Sequence, residues 1–486
     1  MLVALLTLLG AANGLLLVLL LWPHESASSA NWLLQGCLSL GFGLGLFSVV
    51  FMLSRASAGQ HLLAIDLAAF ALLLAGYLYK NKRGYPAVTV SHSSGEADPH
   101  WLVLVLRAAF AIALLAALYS AILRAITHPH GDGWDAFAIW NLHARFLFRG
   151  GEHWRDGFTP LIPWSHPDYP LLLPAVISHF WTALGRENQL VPTMVGLVFT
   201  FSTVGILFSS LAHLRGQTSA TLAGLVLLAT PFFIEQGTAQ YADVPLSFFI
   251  LATIVLTCLC EKSSAVGPHR GLLVLAGISC GFGAWTKNEG LLFLLAIFAA
   301  WLLIFVIAPS RSIDSNTPSQ HEENARPASI SFVLILAGVA PFLLLIAWFK
   351  HSIGAPNELF AAIAFHKLLD ASRYLVILKW YGKDFLRFGD WSLIPGTLLL
   401  AGIYFASPNK HMRPTNFASR ACHIALAMTL AGYFLIYLIT PYDLYWHLRF
   451  SLNRLFLQLW PAVIFLFFLE NPAFDSSVPG EKPVSR

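Results

Sequence analysis

Charge is the scarcest property of this sequence: Asp, Glu, Lys and Arg make up 11% of its 486 residues, where a soluble domain carries about a quarter. That shortage leaves no room for a large soluble domain, because apolar blocks recur along nearly the whole length. There is no basic stripe or face, so a nucleic-acid partner has no support. The net charge of +4 says little about other partners. Cysteine is scarce too. Cys37, Cys258, Cys260, Cys280 and Cys422 lie in or beside apolar blocks, and none forms a CxxC pair. Neither disulfides nor a zinc site are expected. The apolar–polar alternation of a membrane β-barrel is missing, and no internal repeat is visible.

What is abundant is apolar sequence, with hydrophobic residues at 57%. Many blocks reach the roughly 18–20 residues needed to cross a bilayer. The sequence therefore predicts an all-α polytopic membrane protein of about 13–14 hydrophobic helices. The spans are 2–22, 33–54, 61–79, 101–126, 190–213, 218–234, 243–260, 271–286, 288–308, 329–349, 391–406, 421–440 and 453–469, with a shorter apolar piece at 170–184. The first block, "MLVALLTLLGAANGLLLVLLLW", has no basic region before it and is long for a signal segment, so it reads as a retained helix.

Sidedness follows from the polar connections. The connectors 80–100, 261–270, 309–327 and 407–420 are basic or low in structure signals, and placing all four in the cytoplasm lets the spans alternate. The opposite face then receives the loop 127–169, the turn at 285–289, the segment 350–390 and the stretch 440–454. One mismatch remains, because three apolar pieces lie between the 127–169 loop and Asp243 where two crossings are needed. The piece 170–184, which carries His179, is the one expected not to span fully. The resulting division is an N-terminal extension of about three helices (1–100), a core (101–308) with the outer loop 127–169, a polar connector (309–328), a C-terminal membrane region (329–470) with the outer segment 350–390, and a cytoplasmic tail (471–486).

The polar clusters crowd on the extracytoplasmic face. In "GDGWDAFAIWNLHARF", Asp132 and Asp135 precede a run whose spacing suits an amphipathic helix, and Trp134 and Trp140 suit the interface. Either aspartate could simply cap that helix. In "WSHPDYPLLLP", His166 and Asp168 stand between prolines that fix the backbone. In "GTAQYADVPLSFF", Tyr241 precedes Asp243, which opens a span with Pro245 in its first turn and also suits an N-cap. In "GAWTKNEGLLF", Lys287 and Glu289 could be an ion pair or a phosphate contact. In "TPYDLYWHLRFSLNRLFLQLWP", Arg449, Arg454 and His447 stand at the last span, and arginine suits bidentate contact with phosphate oxygens. Together these supply carboxylates and cations on one face, as a transfer from a phosphate leaving group requires: a base for the attacking hydroxyl and positive charge for the departing phosphate.

These elements, in this order, resemble the GT-C superfamily of membrane glycosyltransferases, and most of all the bacterial members similar to protein O-mannosyltransferases and aminoarabinose transferases. The carrying motifs are the acidic first outer loop "GDGWDAFAIW", the proline motif "HPDYPLLLP", the acidic "ADVPLSFF" and the short "WTKNEG", covering roughly 101–308. The proline motif departs from the family's form because Asp168 and Tyr169 intervene, so either His166 or Asp168 can hold that role.

The resemblance implies a sugar donor carried on a polyprenyl phosphate, a glycan, lipid or protein acceptor, and inversion at the anomeric carbon. It makes Asp135 the base, Asp243 an assisting catalytic carboxylate, and Lys287 with Arg449 or Arg454 the phosphate site. His166, Asp168, Tyr241, Glu289 and His447 are the supporting set. A monophosphate donor does not demand a metal, although a carboxylate pair can recruit Mg²⁺ or Mn²⁺. The mixed basic and aromatic segment 350–390 suits an interfacial helix. The competing readings are a lipid-linked glycan ligase or polymerase, and a transporter or flippase, which places ionisable residues deep in its spans; Asp66, Arg107 and Glu235 are the residues that could serve the latter.

Overall fold

The computed structural model describes residues 2–23, 28–57, 61–83, 100–262, 270–307, 320–355, 357, 365–391, 396–406 and 417–471. Much of the four polar connectors, part of the 350–390 segment and all of the tail beyond Asn471 lie outside these residues. The described residues are helical and strand-free, as an apolar chain in a bilayer must be if its backbone groups are to bond within each segment. Ten helices are long and apolar enough to cross a membrane, one further pair passes only as a bent unit, and three more apolar helices are shorter. The chain is a polytopic integral membrane protein.

The first four helices are α1 (Leu2–Leu21), α2 (Ser29–Ala56), α3 (Leu62–Lys82) and α4 (His100–Thr127). Small residues let α1 and α2 cross closely: a Cβ on Gly14 would strike the Ser39 carbonyl oxygen, and one on Gly43 the Gly10 carbonyl oxygen. By contrast α3 and α4 face outward along most of their length. Asp66 is the single buried residue of α3. Its carboxylate meets His179 Nε2 at 2.9 Å, and Phe47 stacks on that imidazole at 4.0 Å. Asp66 thus pins an outlying helix to the core.

The loop after α4 holds a short helical turn, Gly133–Asp135, then a π-helical stretch, Ala136–Trp140, and then α5 (Asn141–Arg149). Next come α6 (Leu172–Leu184) and α7 (Leu190–Leu214). At thirteen residues, α6 is about 20 Å long, well short of a hydrocarbon core of about 30 Å. The apolar run expected to be one span at 218–234 is broken instead. It forms α8 (Gln217–Leu228) and α9 (Pro231–Thr238), bent by 65°. The cause is visible locally: Pro231 disfavours helix at Thr230, whose φ and ψ are extended.

The remaining helices are α10 (Asp243–Lys262), α11 (Arg270–Thr286), α12 (Asn288–Ile307), α13 (Gln320–Ile353), α14 (Ala371–Arg387), α15 (Gly396–Ala406), α16 (Phe417–Ile439) and α17 (Leu444–Glu470). The 309–328 segment contains the start of α13 at Gln320, and the apolar span of that helix begins at Ser331. The membrane-spanning part of α10 is buried throughout, against α7, α11 and α17. This central position matters because its first residue is Asp243.

Candidate active site

Two stretches meet Asp243 directly, and a third is joined to it through Arg454. Lys287 Nζ, at the α11–α12 junction, donates to Asp243 Oδ1 at 2.9 Å. Gln458 Nε2, on α17, donates to the same oxygen at 2.6 Å. Arg454, one turn earlier on α17, donates to Asp243 Oδ2 through Nε at 2.9 Å and lies at 2.8 Å through Nη2. Its Nη1 reaches back to Asp135 Oδ2 at 2.6 Å. One guanidinium, 319 residues along the chain from Asp135, therefore ties the two sequence-predicted acids together.

The two acids differ in environment. Asp243 is fully buried, and a carboxylate there requires partners that neutralise and solvate it. Asp135 remains partly open, at 24% side-chain exposure. Glu289 closes the cluster on the other side, 2.9 Å from Lys287. Asp243 is the first residue of α10, and its oxygens accept from α17 and Lys287. Asp132 does occupy the N-cap position before Gly133 but makes no capping hydrogen bond. Its carboxylate pairs with Arg124, which also reaches Glu235 at 3.3 Å, so Glu235 belongs to a surface ion network.

The loop is held in place by Tyr241 and Gln240. The Arg454 guanidinium lies 4.7 Å from the centre of the Tyr241 ring. Burial and the nearby Asp135 carboxylate push the Tyr241 phenol up to about 12, so it stays protonated. Gln240 accepts from Asn141 Nδ2 at 2.7 Å and donates to Pro129 O at 3.1 Å and Thr193 Oγ1 at 3.0 Å. It joins the loop's start, the first residue of α5 and α7. At Gly133, φ is +73°, and a Cβ would lie 2.8 Å from the Tyr241 hydroxyl oxygen. Gly133→Ala is expected to cost about 1–3 kcal/mol of local strain and to lower transfer by displacing Asp135. Transfer and thermal melting measured together check this: wild-type transfer in the variant would contradict it.

The other expected site residues divide. Asp168 is buried and accepts from Asn288 Nδ2 at 2.8 Å and Asn357 Nδ2 at 2.5 Å, with Lys350 Nζ at 3.3 Å. These contacts make it a packing node between the proline motif, α12 and α13. His166 has left-handed backbone, φ +50°, and stacks on Tyr169 at 4.7 Å. Tyr169 was not expected. Burial first, then the carboxylates of Glu289, Asp168 and Asp135, raise its phenol well above the usual value, which places it against the acidic cluster. Trp140 corrects an expectation: it is fully buried and stacks on Tyr169 at 5.7 Å, whereas Trp134 is exposed and free to face an interface. His447 is held by Thr440 Oγ1 at 2.9 Å. Arg449 is exposed and sits 5.6 Å from the Phe450 ring, and among the described residues the side-chain partners of Asp135 and Asp243 are Arg454, Lys287 and Gln458 instead.

A metal does not fit this donor set. Among the described residues no three His, Cys, Asp or Glu side chains gather where an ion could be held, and the two acids are already bridged by Arg454.

Comparison with known protein families gives a match over part of the chain. Residues 165–319, under half of the chain, match the family described as dolichyl-phosphate-mannose-protein mannosyltransferase. That range contains His166, Asp168, Tyr241, Asp243, Lys287 and Glu289, but not Asp135 or Arg454. No curated protein and no solved structure matches. The match, together with the membrane-crossing helices, supports a GT-C-type family of membrane glycosyltransferases for this chain.

Proposed function

We propose that the protein transfers a sugar from a polyprenyl-phosphate donor to an acceptor hydroxyl on a glycan, lipid or protein, with inversion, at the extracytoplasmic face of a bacterial inner membrane. The observation that carries this reading is the Asp135–Arg454–Asp243 bridge. It sets a carboxylate that solvent can reach beside a cation held by a buried carboxylate.

In the proposed reaction the acceptor oxygen attacks the anomeric carbon from the side opposite the phosphate, and Asp135 takes its proton through Oδ1, the oxygen Arg454 leaves open. The bond from the anomeric carbon to the phosphate oxygen breaks, and the polyprenyl phosphate leaves with the electron pair. Arginine has five N–H bonds, of which Arg454 uses three toward the acids. Two remain for a phosphate oxygen. Lys287 has one N–H left after Asp243 and Glu289. In this reading Asp243 holds both cations in place and takes no proton, because all its neighbours are donors.

The test supplies the full-length protein in membranes with polyprenyl-phosphate sugars and, separately, with nucleotide sugars, in the presence of envelope extract as acceptor source. The expected result is transfer from the lipid-linked donors alone, with one polyprenyl phosphate released per sugar. Transfer from nucleotide sugars, or transfer of a whole lipid-linked glycan with release of pyrophosphate lipid, would overturn it in favour of another transferase or a ligase.

A further inference from the structure

Helix α14 carries a feature that the transfer chemistry does not use. At 100° per residue, Lys379, Lys383 and Arg387 recur every four positions and form one stripe, and all three are exposed. None has an ion-pair partner among the described residues. Lys383 rests over the Trp380 ring at 4.4 Å, which holds its ammonium in place without neutralising it. Asp384 lies on the same helix, close enough to feel Lys383 and Arg387. It is buried, and burial raises its pKa against a pull from Lys383 and Arg387.

The two other faces of α14 have different tasks. Ile377, Asp384 and Phe388 are buried, and Tyr381 packs edge-on to Phe434 and Phe456 at 5.6 and 5.4 Å. That face docks on α16 and α17. Leu375, Leu378 and Leu386 are exposed and apolar, beside the basic stripe. Between the stripe and α17 lies a groove of about 390 Å³ lined by Leu375, Val376, Lys379, Trp380, Lys383 and Tyr445. Tyr445 precedes Arg454 by nine residues, which is two and a half helical turns. The groove therefore lies on the opposite side of α17 from the Asp135–Asp243 cluster, and is a separate site.

We propose that this groove binds the phosphate headgroup of an anionic phospholipid, with Lys379 and Lys383 as its cations and the exposed leucines against its acyl chains. The charge complementarity is direct: two exposed ammonium groups with no ion-pair partner among the described residues stand beside apolar surface, in a chain embedded in lipid. A zwitterionic lipid brings its own cation and would gain less. Trp380 and Tyr445 have the amphipathic rings found at headgroup level.

Native mass spectrometry of the delipidated full-length protein, titrated with phosphatidylglycerol and with phosphatidylcholine of the same chains, tests the site. Two basic side chains near a phosphate predict roughly a 10- to 30-fold preference for phosphatidylglycerol. Lys379→Gln with Lys383→Gln should bring that preference close to one, and Lys379→Arg with Lys383→Arg should restore it. Both side chains are exposed, so melting in phosphatidylcholine should not change. Inorganic phosphate at the same concentration should leave phosphatidylglycerol binding intact. Equal binding of the two lipids, a preference that survives the double Gln substitution, or displacement by inorganic phosphate would each overturn the assignment.

Discussion

Asp135→Asn is expected to lower transfer by about 10²–10⁴-fold while leaving the protein folded. A positioned general base contributes about that much, and the substitution keeps the side chain's size while removing its basicity. The amide oxygen of Asn can still accept from Arg454 Nη1, so the 2.6 Å contact has a replacement and the loop keeps its anchor. Gly133, Tyr241 and Gln240 hold the loop independently of the Asp135 charge. Donor binding should therefore survive, and the loss should appear in the turnover rate rather than in the donor concentration needed for half-maximal rate. Transfer by Asp135→Asn within a fewfold of wild type would remove it as the base. The remaining solvent-reachable acid of the cluster would then be Glu289, at 14% side-chain exposure, since Asp243 and Asp168 are sealed.

How much of this was visible in the sequence depends on the kind of signal. The membrane architecture was, because span length is fixed by the bilayer and apolar runs declare it directly. The bend at Thr230 had a local mark in Pro231, but it was hidden inside an apolar block. Asp135, Asp243, Lys287 and Arg454 were legible as rare ionisable residues at the ends of such blocks, where they must do something to be tolerated. Helical arithmetic could have separated Arg454 from Arg449: five residues apart on one helix, they point about 140° from each other. It could also have paired Arg454 with Gln458, four residues on. Gln458 was passed over because it sits inside "LFLQLWP", where a single polar residue carries no motif. Asn357, Lys350 and Tyr169 had no signal at all. Their role depends on α13 packing beside the proline motif, a tertiary contact that one sequence does not reveal. The same holds for Trp140, which is buried against Tyr169.

Arg454→Gln should be the most damaging single change to both stability and activity. Asp243 would keep Lys287 and Gln458 but lose two charged donors while fully buried, and breaking one side of a buried pair costs about 3–5 kcal/mol. Asp135 would lose the side-chain partner it has among the described residues. Arg454→Lys keeps the charge but not the geometry: an ammonium is a single point and cannot span both acids as the guanidinium fork does. Melting temperature should therefore fall in the order wild type, Arg454→Lys, Arg454→Gln. The discriminating variant is the double substitution Arg454→Gln with Asp243→Asn. Removing both charges leaves no buried ion unpaired, so much of the lost stability should return, and the coupling can be read from a double-mutant cycle. Transfer should not return, because the cation proposed to meet the departing phosphate is still missing. If the double variant recovers both stability and transfer, the bridge is scaffolding alone and the phosphate cation lies elsewhere. If it recovers neither, Asp243 has a role in the fold beyond neutralising Arg454. Stability without transfer is the outcome that assigns the Arg454–Asp243 pair, with the Lys287 that Asp243 holds, to the reaction.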